Sequence, residues 1–387
     1  MLKLIICLFL VIGAARAHEC ASRNHIFLIH GIGGSAKTFG VMDQYLNRAN
    51  PCNVAQTYEY DTKSTNLSTF DFAKDFNSFI DFTLAKNNFA STDKISLIMH
   101  SQGGLIGSLW LISVRESRPD LYSKLDSFIT LSTPYYGSKM AKLGRRVLFS
   151  LAAKNSNPLS PMGKVQLSDM SYGSSTILFL ENSFSEIFEG NQIRFLAVSG
   201  EKLISNPEVG EGDTTVSPYS ANPNHYAYNI SKNVVTESHH LGVVPFTSVI
   251  ATHIKSTIPG IAYLEKDCLE KTPCDHPSIG IIESQLNGTE VELKKRDFQK
   301  FRVHVYLKKI AKNMNVQAVD EEGHHWKAKL TPHADNLMGQ AFFDYADDSQ
   351  ERVITLKLRQ GKKILRTDRI RIRGGYSTFV TYDSDVQ

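Results

Sequence analysis

The 387-residue chain is long enough to bury a large core and to form two domains. Hydrophobic residues make up 42% of it and charged residues 21%, as in an ordinary globular protein. The formal net charge of +4 is too small to indicate nucleic-acid binding, and we predict no nucleic-acid partner.

The first residues have the pattern of a secretory signal peptide. Lys3 gives a positive start, residues 4–12 are apolar, and Ala15 and Ala17 are small. We therefore predict a signal peptide over residues 1–17, and a secreted or periplasmic protein. A buried N-terminal helix is the alternative. We expect no membrane span in the rest of the chain, because no later stretch is long and apolar enough.

Four cysteines remain after the predicted cleavage site. An even number in an exported chain favours two disulfides, and we expect local pairing of Cys20 with Cys52 and of Cys268 with Cys274. Buried free thiols are the alternative. We predict no metal site here, because the four cysteines lack close pairs with metal-ligand spacing.

Between residues 25 and 260, strand-like and helix-like segments alternate. The strand-like segments, rich in β-forming residues, are HIFLIHG, VAQTYEY, KISLIMH, LDSFITLS, IRFLAVS and KNVVTES. The segments FDFAKDFNSFIDFTLAKN and GGLIGSLWLISVRES have helical spacing. This alternation predicts an α/β fold, with a mostly parallel sheet covered by helices on both faces.

One long interval interrupts the alternation. Residues 138–192 separate two strands and contain basic and apolar helical pieces, KMAKLGRRVLF and SSTILFLENSFSEIF. A connection of this length favours a cap or lid inserted into a catalytic domain of residues 18–265. Helices that only pack on the sheet are the alternative. The apolar residues of the insertion favour a water-insoluble ester as substrate.

Residues 275–387 have a different pattern. Short alternating segments such as FRVHVYLKK, RVITLKLR and ILRTDRIRIR, with polar turns such as the one at residues 286–288, predict an all-β, sandwich-like accessory domain. Residues 294–373 contain 19 Lys and Arg against 10 Asp and Glu. We expect this basic domain either to contact anionic lipid surfaces or to use its charges against strand-to-strand aggregation.

A serine lies where the segment KISLIM meets a helical segment. Ser101 in MHSQGG resembles the nucleophile of a strand–turn–helix elbow, in which small residues flank the serine. Gly103 fits the second small position, whereas Met99 departs from the first. Taken alone, the pattern also suits a serine that caps the helix.

The segment IFLIHGIGG is a strand followed by a glycine-rich turn. Acyl transfer needs hydrogen-bond donors where an oxyanion develops, and two backbone N–H groups commonly supply them. We expect these to be the N–H groups of Ile32, after His30-Gly31, and of Gln102, after Ser101. A glycine turn without a ligand is the alternative.

Four motifs together carry a family resemblance. The segments IFLIHGIGGSAKTF, MHSQGG, LSTPYYGS and GDTTVSPYSA, in this order, are similar to secreted lipases and lipase-like esterases of the α/β-hydrolase fold over about residues 25–250. The resemblance implies ester hydrolysis, with Asp213 as the catalytic acid and His240 as the base. The C-terminal part carries no comparable resemblance.

The two remaining catalytic positions have neighbours of the same type. Glu211 and Glu201 are alternatives to Asp213, but only Asp213 matches the family pattern. His240 is favoured over His239, because the family's histidine precedes apolar residues. The chain order Ser, Asp, His is that of the α/β-hydrolases.

The sequence therefore predicts a secreted serine carboxylic-ester hydrolase acting on lipid or other apolar esters, without a cofactor or a metal. The alternatives are a deacylase for phospholipids or lipid anchors of the GPI type, an acyltransferase with the same triad, and a non-catalytic lipid-binding protein on a hydrolase scaffold. The departure at Met99 supports the last of these.

Overall fold

The structure of the protein is a computed structural model. It describes residues 20–138, 141, 163–188, 192–200, 213, 215–224, 231–240, 259–271, 274–290, 300–307, 313–329, 331–332, 339–346, 351–373 and 377–382. The predicted signal peptide and the basic piece KMAKLGRRVLF, apart from Ala141, lie outside these residues.

The first part of the chain forms a six-stranded parallel sheet. Its strands are β1 (Asn24–Ile29), β2 (Asn53–Tyr58), β3 (Lys94–His100), β4 (Leu125–Leu131), β5 (Arg194–Gly200) and β6 (Lys232–Thr236). Their order in the sheet is β2-β1-β3-β4-β5-β6. All six lie in segments predicted as strands, and the predicted α/β fold is confirmed.

Helices cover both faces of this sheet. They are α1 (Met42–Ala49), α2 (Thr69–Lys86), α3 (Gln102–Ser117) and the short α4 (Pro119–Tyr122), followed by α5 (Lys164–Asp169), α6 (Ser175–Phe188), α7 (Pro218–Ala221) and α8 (Ile279–Asn287). Two short 3₁₀ helices span Ala36–Phe39 and Lys266–Leu269.

Alternate residues of the strands enter two separate cores, which explains their unbroken apolar runs. In β1, Phe27 packs in a core with residues of α2, α3 and α6, whereas Leu28 packs in the opposite core with residues of α1 and α8. This is the burial expected of a parallel sheet with both faces covered.

The predicted insertion contains two of these helices, α5 and α6. Ile177 and Phe184 of α6 are buried in the core shared with α2 and α3. These two side chains stabilise the fold and are not part of an open acyl pocket. Phe179, on the other side of α6, is 43% exposed and lies against Phe70, which is equally exposed.

The second part of the chain is a pair of four-stranded sheets. The strands are β7 (Lys300–Leu307), β8 (Met314–Asp320), β9 (His325–Lys329), β10 (Thr331–Pro332), β11 (Gly339–Ala346), β12 (Glu351–Gln360), β13 (Lys363–Arg373) and β14 (Ser377–Tyr382). The sheet orders are β10-β11-β7-β14 and β13-β12-β8-β9. Inward-facing residues such as Val305 and Leu356 form one core, so the all-β prediction is confirmed. Strand β14 pairs parallel to β7, while the other described strand pairs of these two sheets are antiparallel.

The turn predicted at residues 286–288 is a helix end. Leu286 and Asn287 close α8, and Gly288 caps it in the left-handed region at φ 70°. An Asn-Gly pair suits a helix C-terminus as well as a hairpin turn, and here the apolar residues Ile279 and Ile282 pack the helix into the core that also contains Leu28.

Two disulfides join the predicted cysteine pairs. Cys20 is bonded to Cys52 near the amino ends of β1 and β2, and Cys268 is bonded to Cys274. In the described part of the chain, no helix has both the length and the apolar character needed to cross a membrane.

Candidate active site

The turn between β3 and α3 places Ser101 in a strained conformation. Its φ of 54° and ψ of −122° are rarely adopted by residues with a side chain. Close packing enforces the turn: a Cβ atom at Gly103 would lie 2.6 Å from the carbonyl oxygen of His30. Such strain is typical of a strand–turn–helix elbow that carries a nucleophile.

The departure at Met99 has a structural explanation. The side chain of Met99 is fully buried, and its thioether occupies the place where a Cβ atom at Gly107 would lie. A glycine one helical turn inside α3 thus makes room for the larger residue. Met99 leaves the conformation of Ser101 intact.

Three side chains that are far apart in sequence meet beside this turn. His240 Nε2 lies 2.9 Å from Ser101 Oγ, and His240 Nδ1 lies 2.7 Å from Asp213 Oδ2. All three residues are buried, each with at most 4% of its surface exposed. The backbone N–H of His240 also donates to the carbonyl oxygen of Asp213 at 2.9 Å, which ties the two segments together.

The Asp213 carboxylate is held in its ionised form. Its Oδ1 atom accepts the backbone N–H groups of Thr215 and Val216 at 3.0 and 2.8 Å. Burial alone would raise the pKa of Asp213, but His240 and hydrogen bonds, including one with Ser132, hold it below its usual range. An ionised carboxylate only accepts hydrogen bonds, so Nδ1 of His240 donates and Nε2 is left to accept from Ser101.

A second histidine, His100, lies beside His240. The rings of His100 and His240 lie 4.7 Å apart between centroids. Burial, followed by the proximity of His240, lowers the pKa of His100 to about 3. His100 is therefore neutral near pH 7, and it does not add a second full charge beside an imidazolium at His240.

Of the alternatives to the acid and the base, His239 lies within the described residues. Glu201 and Glu211 are outside the described residues. His239 takes part in a backbone bridge with Gly260, and its N–H donates to the carbonyl oxygen of Pro259. Its backbone thus supports the loop that carries His240.

Both segments predicted to supply oxyanion donors lie against the serine. Gln102 is the first residue of α3, so its N–H has no carbonyl partner within the helix. Ile32 lies in a turn closed by a hydrogen bond from Gly34 N–H to the carbonyl oxygen of Gly31. A Cβ atom at Gly31 would lie only 2.7 Å from Ser101 Cβ, so this turn needs glycine to approach the elbow.

Sequence reasoning missed two residues that contact these groups. Ser132, directly after β4, contacts Asp213 and accepts the N–H of Gly200 at 3.1 Å. Tyr60, two residues after β2, contacts both His30 and Gln102. Their only sequence signal is position, since the carboxyl ends of parallel strands meet at one edge of the sheet.

One cluster of metal-ligand type occurs among the described residues. Asp320, Glu322 and His324 lie together at the turn between β8 and β9. Their carboxylates already have cationic or hydrogen-bonding partners, because Arg352 lies 3.3 Å from Glu322 and His324 Nδ1 lies 2.8 Å from Asp320. We assign no metal to this turn.

One family model matches the first part of the chain. Residues 21–181 match a family described as "Putative serine esterase (DUF676)". The predicted resemblance to lipase-like esterases is confirmed. The matched segment contains β1 to β4, the elbow at Ser101 and both predicted oxyanion segments.

One solved structure shares the fold of the chain. Phospholipase PlaB from Legionella pneumophila aligns over 93% of both chains with a TM-score of 0.64 and 13% identity. The metagenomic carboxyl esterase MGS0156 aligns over 62% of this chain and 73% of its own, with a TM-score of 0.38 and 14% identity. No curated protein matches the chain in sequence. At such identities the likeness to PlaB shows a common fold.

Proposed function

We propose that the protein is a serine carboxylic-ester hydrolase in which Ser101 is the nucleophile, His240 the general base and Asp213 the orienting acid. The observation that carries the proposal is the unbroken hydrogen-bond chain from Ser101 Oγ through His240 to Asp213, with links of 2.9 and 2.7 Å. A serine that merely capped α3 would bond to the helix, whereas Ser101 makes no side-chain cap bond.

The first half of the reaction forms an acyl-enzyme. Ser101 Oγ attacks the ester carbonyl carbon while its proton passes to Nε2 of His240. The resulting oxyanion accepts the N–H groups of Ile32 and Gln102, and the ionised Asp213 stabilises the imidazolium. Collapse of the tetrahedral intermediate breaks the ester C–O bond, and His240 protonates the departing alcohol.

The second half returns the enzyme to its starting state. His240 takes a proton from a water molecule, which attacks the acyl carbon, and the same N–H groups hold the second oxyanion. The proton then returns to Ser101 Oγ as the carboxylic acid leaves. None of these steps calls for a cofactor.

The test compares two serines of the same segment. Ser101→Ala should abolish hydrolysis of p-nitrophenyl butyrate and labelling by a fluorophosphonate probe, with the melting temperature little changed. Ser108→Ala is the control, since Ser108 is also buried but donates to the carbonyl oxygen of Gly104 at 2.7 Å. Undiminished hydrolysis by Ser101→Ala would refute the assignment, and an unlabelled, inactive wild type would favour the lipid-binding alternative.

The substrate that we propose is an ester with an apolar acyl chain. Phe70 and Phe179 are half-exposed, with ring centroids 5.5 Å apart. The residue before Phe70 is Thr69, whose hydroxyl accepts a hydrogen bond from Gln102 at 3.4 Å. An apolar pair thus lies close to the predicted oxyanion segment, where it can contact a long acyl chain.

This preference predicts a chain-length series. The specificity constant for p-nitrophenyl esters should rise from butyrate to octanoate, and Phe179→Ser should reduce that rise while leaving butyrate hydrolysis unchanged. Phe82→Ser, at a 67% exposed position on α2, is the matched control. A steady fall in activity as the chain lengthens would contradict the preference. The series should also include phospholipids, because PlaB, which shares the fold, is a phospholipase. Adding alcohol acceptors to the assay detects acyl transfer.

The accessory domain offers a surface for such substrates. Ile354, Leu356 and Leu358 of β12 point inward, so the alternate residues of this sheet face outward. By register, the outward-facing cations of the described strands include Lys327, Lys357, Arg359, Arg369 and Arg371. The outward acidic residue of β12 is Glu351, which pairs with Arg371. We propose that this basic sheet face contacts anionic lipid.

The contact can be measured with the inactive Ser101→Ala protein on phosphatidylcholine vesicles containing about 30% phosphatidylglycerol. Joint Lys327→Glu and Lys357→Glu substitution should weaken binding by at least about 30-fold, because each lysine near such a surface contributes about 1 kcal/mol and each glutamate adds repulsion. Lys86→Glu with Lys124→Glu changes the net charge equally elsewhere and should leave binding nearly unchanged. Equal losses in both pairs, or binding insensitive to about 0.5 M NaCl, would refute the proposed face.

We also propose that the protein is exported. The segment 1–17 has the pattern of a signal peptide, and two disulfides suit an oxidising compartment. Amino-terminal sequencing of the mature protein should start at His18. A mature protein that retains Lys3 would contradict this prediction.

A further inference from the structure

One tyrosine touches both segments that carry the predicted oxyanion donors. The hydroxyl group of Tyr60 lies 2.9 Å from the carbonyl oxygen of His30 and 3.2 Å from Oε1 of Gln102. His30 begins the turn that contains Ile32, and Gln102 carries the second N–H. The single hydroxyl proton of Tyr60 therefore lies between two acceptors, one on each side of the predicted oxyanion hole.

The ring of Tyr60 is fixed as firmly as its hydroxyl group. It stacks on the ring of His30 with centroids 4.4 Å apart and planes within 4°, and it packs against Phe72 at 4.6 Å. Burial raises the pKa of Tyr60 well above its ordinary value, so the hydroxyl group keeps its proton. His30 Nδ1 in turn contacts the carbonyl oxygen of Gly31 at 3.0 Å, which extends the fixed segment toward Ile32.

The other side of the Gln102 side chain is also held. Its Nε2 atom donates to Thr69 Oγ1 at 3.4 Å, and both residues are fully buried. The backbone N–H of Thr69 donates to Oδ2 of Asp169 at 2.7 Å. Asp169 ends α5, so a continuous set of hydrogen bonds joins the inserted segment to Tyr60.

We infer that Tyr60 is a positioning residue that sets the distance between the two oxyanion donors; this inference rests on the proposed function. Donors for an oxyanion stabilise the transition state only when they are held in place before the charge develops. Tyr60 fixes one donor through the His30 carbonyl and the other through the Gln102 side chain. Without its hydroxyl group, each segment keeps its own turn or helix but loses the link to the other.

The test replaces Tyr60 by Phe, which keeps the stacked ring. With p-nitrophenyl butyrate, kcat should fall about tenfold, less than the hundredfold or more expected for loss of a donor itself. KM should stay within about twofold, because the misplaced groups act in the transition state. The affinity for an alkyl boronic acid, which forms a tetrahedral adduct with Ser101, should fall by the same factor as kcat.

Tyr58→Phe is the matched control. Tyr58 belongs to the same aromatic group, with its ring 5.6 Å from that of Tyr60, and it donates to Asp75 at 2.7 Å. The variant loses a hydroxyl group that also donates a hydrogen bond but touches neither oxyanion segment. A merely structural role for Tyr60 predicts equal effects of the two variants on melting temperature and on kcat. The inference instead predicts that only Tyr60→Phe lowers kcat and boronate affinity together.

A second variant guards against a folding defect in Tyr60→Phe. Gln102→Leu removes the side-chain link but keeps the backbone N–H, and it should lower kcat in the same way. The double variant should lose no more activity than the more impaired single variant, since Gln102→Leu removes a contact that Tyr60→Phe already removes. Unchanged kcat and boronate affinity in both singles, or additive losses, would overturn the inference while hydrolysis by Ser101 stands. Hydrolysis that survives Ser101→Ala would overturn both proposals.

Discussion

The strained turn at Ser101 predicts an unusual order of stability between two small residues. Ser101→Ala and Ser101→Gly both remove the hydroxyl group and its contact with His240 at 2.9 Å. They differ in the Cβ atom, which is unfavourable at φ 54°. A side chain in such a conformation costs about 1 to 3 kcal/mol. Glycine's extra freedom in the unfolded chain offsets about 0.5 to 1 kcal/mol of this.

The glycine variant should therefore be the more stable by about 1 kcal/mol, or about 3 °C in melting temperature. Differential scanning fluorimetry of both proteins at one pH measures the difference. Ser113, an exposed residue within α3, is the control, because at a helical position the alanine variant should be the more stable by about the same amount. A Ser101→Gly protein that melts at or below Ser101→Ala would show that the turn stores no strain.

Three further predictions concern the surroundings of the site. Asp213→Asn should lower kcat about 10⁴-fold without unfolding the protein, because an amide cannot stabilise the His240 imidazolium, as circular dichroism and ester hydrolysis can check. The pKa of His100 is lowered to about 3, so between about pH 6.5 and 3 the unfolded chain binds a proton that the folded chain does not. Stability should fall as the pH falls through this window, and His100→Gln should flatten the plot of melting temperature against pH. Gly104→Ala should destabilise the protein by about 1 to 3 kcal/mol, because its Cβ atom would lie 2.6 Å from Cγ2 of Thr133.

Each of these three predictions has an outcome that would contradict it. Activity of Asp213→Asn within about tenfold of wild type would move the acid role to another residue. An unchanged pH dependence in His100→Gln would assign the acid sensitivity to other buried histidines, such as His30, whose pKa burial also lowers. Gly104→Ala should cost much less stability in a Thr133→Gly background than in the wild type, because the three nearest atoms all belong to the Thr133 side chain, and an equal cost would place the clash elsewhere.

Local patterns were enough to predict the elements of the first sheet. The segment KISLIMH forms β3 residue for residue, because its apolar side chains alternate between two cores and so both faces are apolar. The turn predicted from the Asn-Gly pair at residues 287–288 was wrong, since the same two residues suit a hairpin turn and a helix cap. The packing of Ile279 against residues that are distant in sequence favours the helix, and the local sequence does not reveal this packing.

The candidate site was predictable where sequence neighbours create the geometry. Gln102 follows Ser101 directly, so its place at the start of α3 comes from the elbow itself. The contacts of Tyr60 depend on which strands are adjacent in the sheet, and no local sequence pattern predicts the strand order. The elbow likewise tolerates Met99 because Gly107 leaves room for its side chain. This contact between a strand and a helix is visible only in the folded chain.

The parallel pairing of β14 with β7 has a consequence for synthesis. Residues 377–382 complete a sheet whose neighbouring strand was made about seventy residues earlier. Until the ribosome has released this segment, β7 lacks one of its two neighbours and exposes an open row of amide and carbonyl groups. The sheet can therefore be completed only after residue 382 has emerged, and a nascent chain stalled before residue 377 should recruit chaperones that shield unpaired strands.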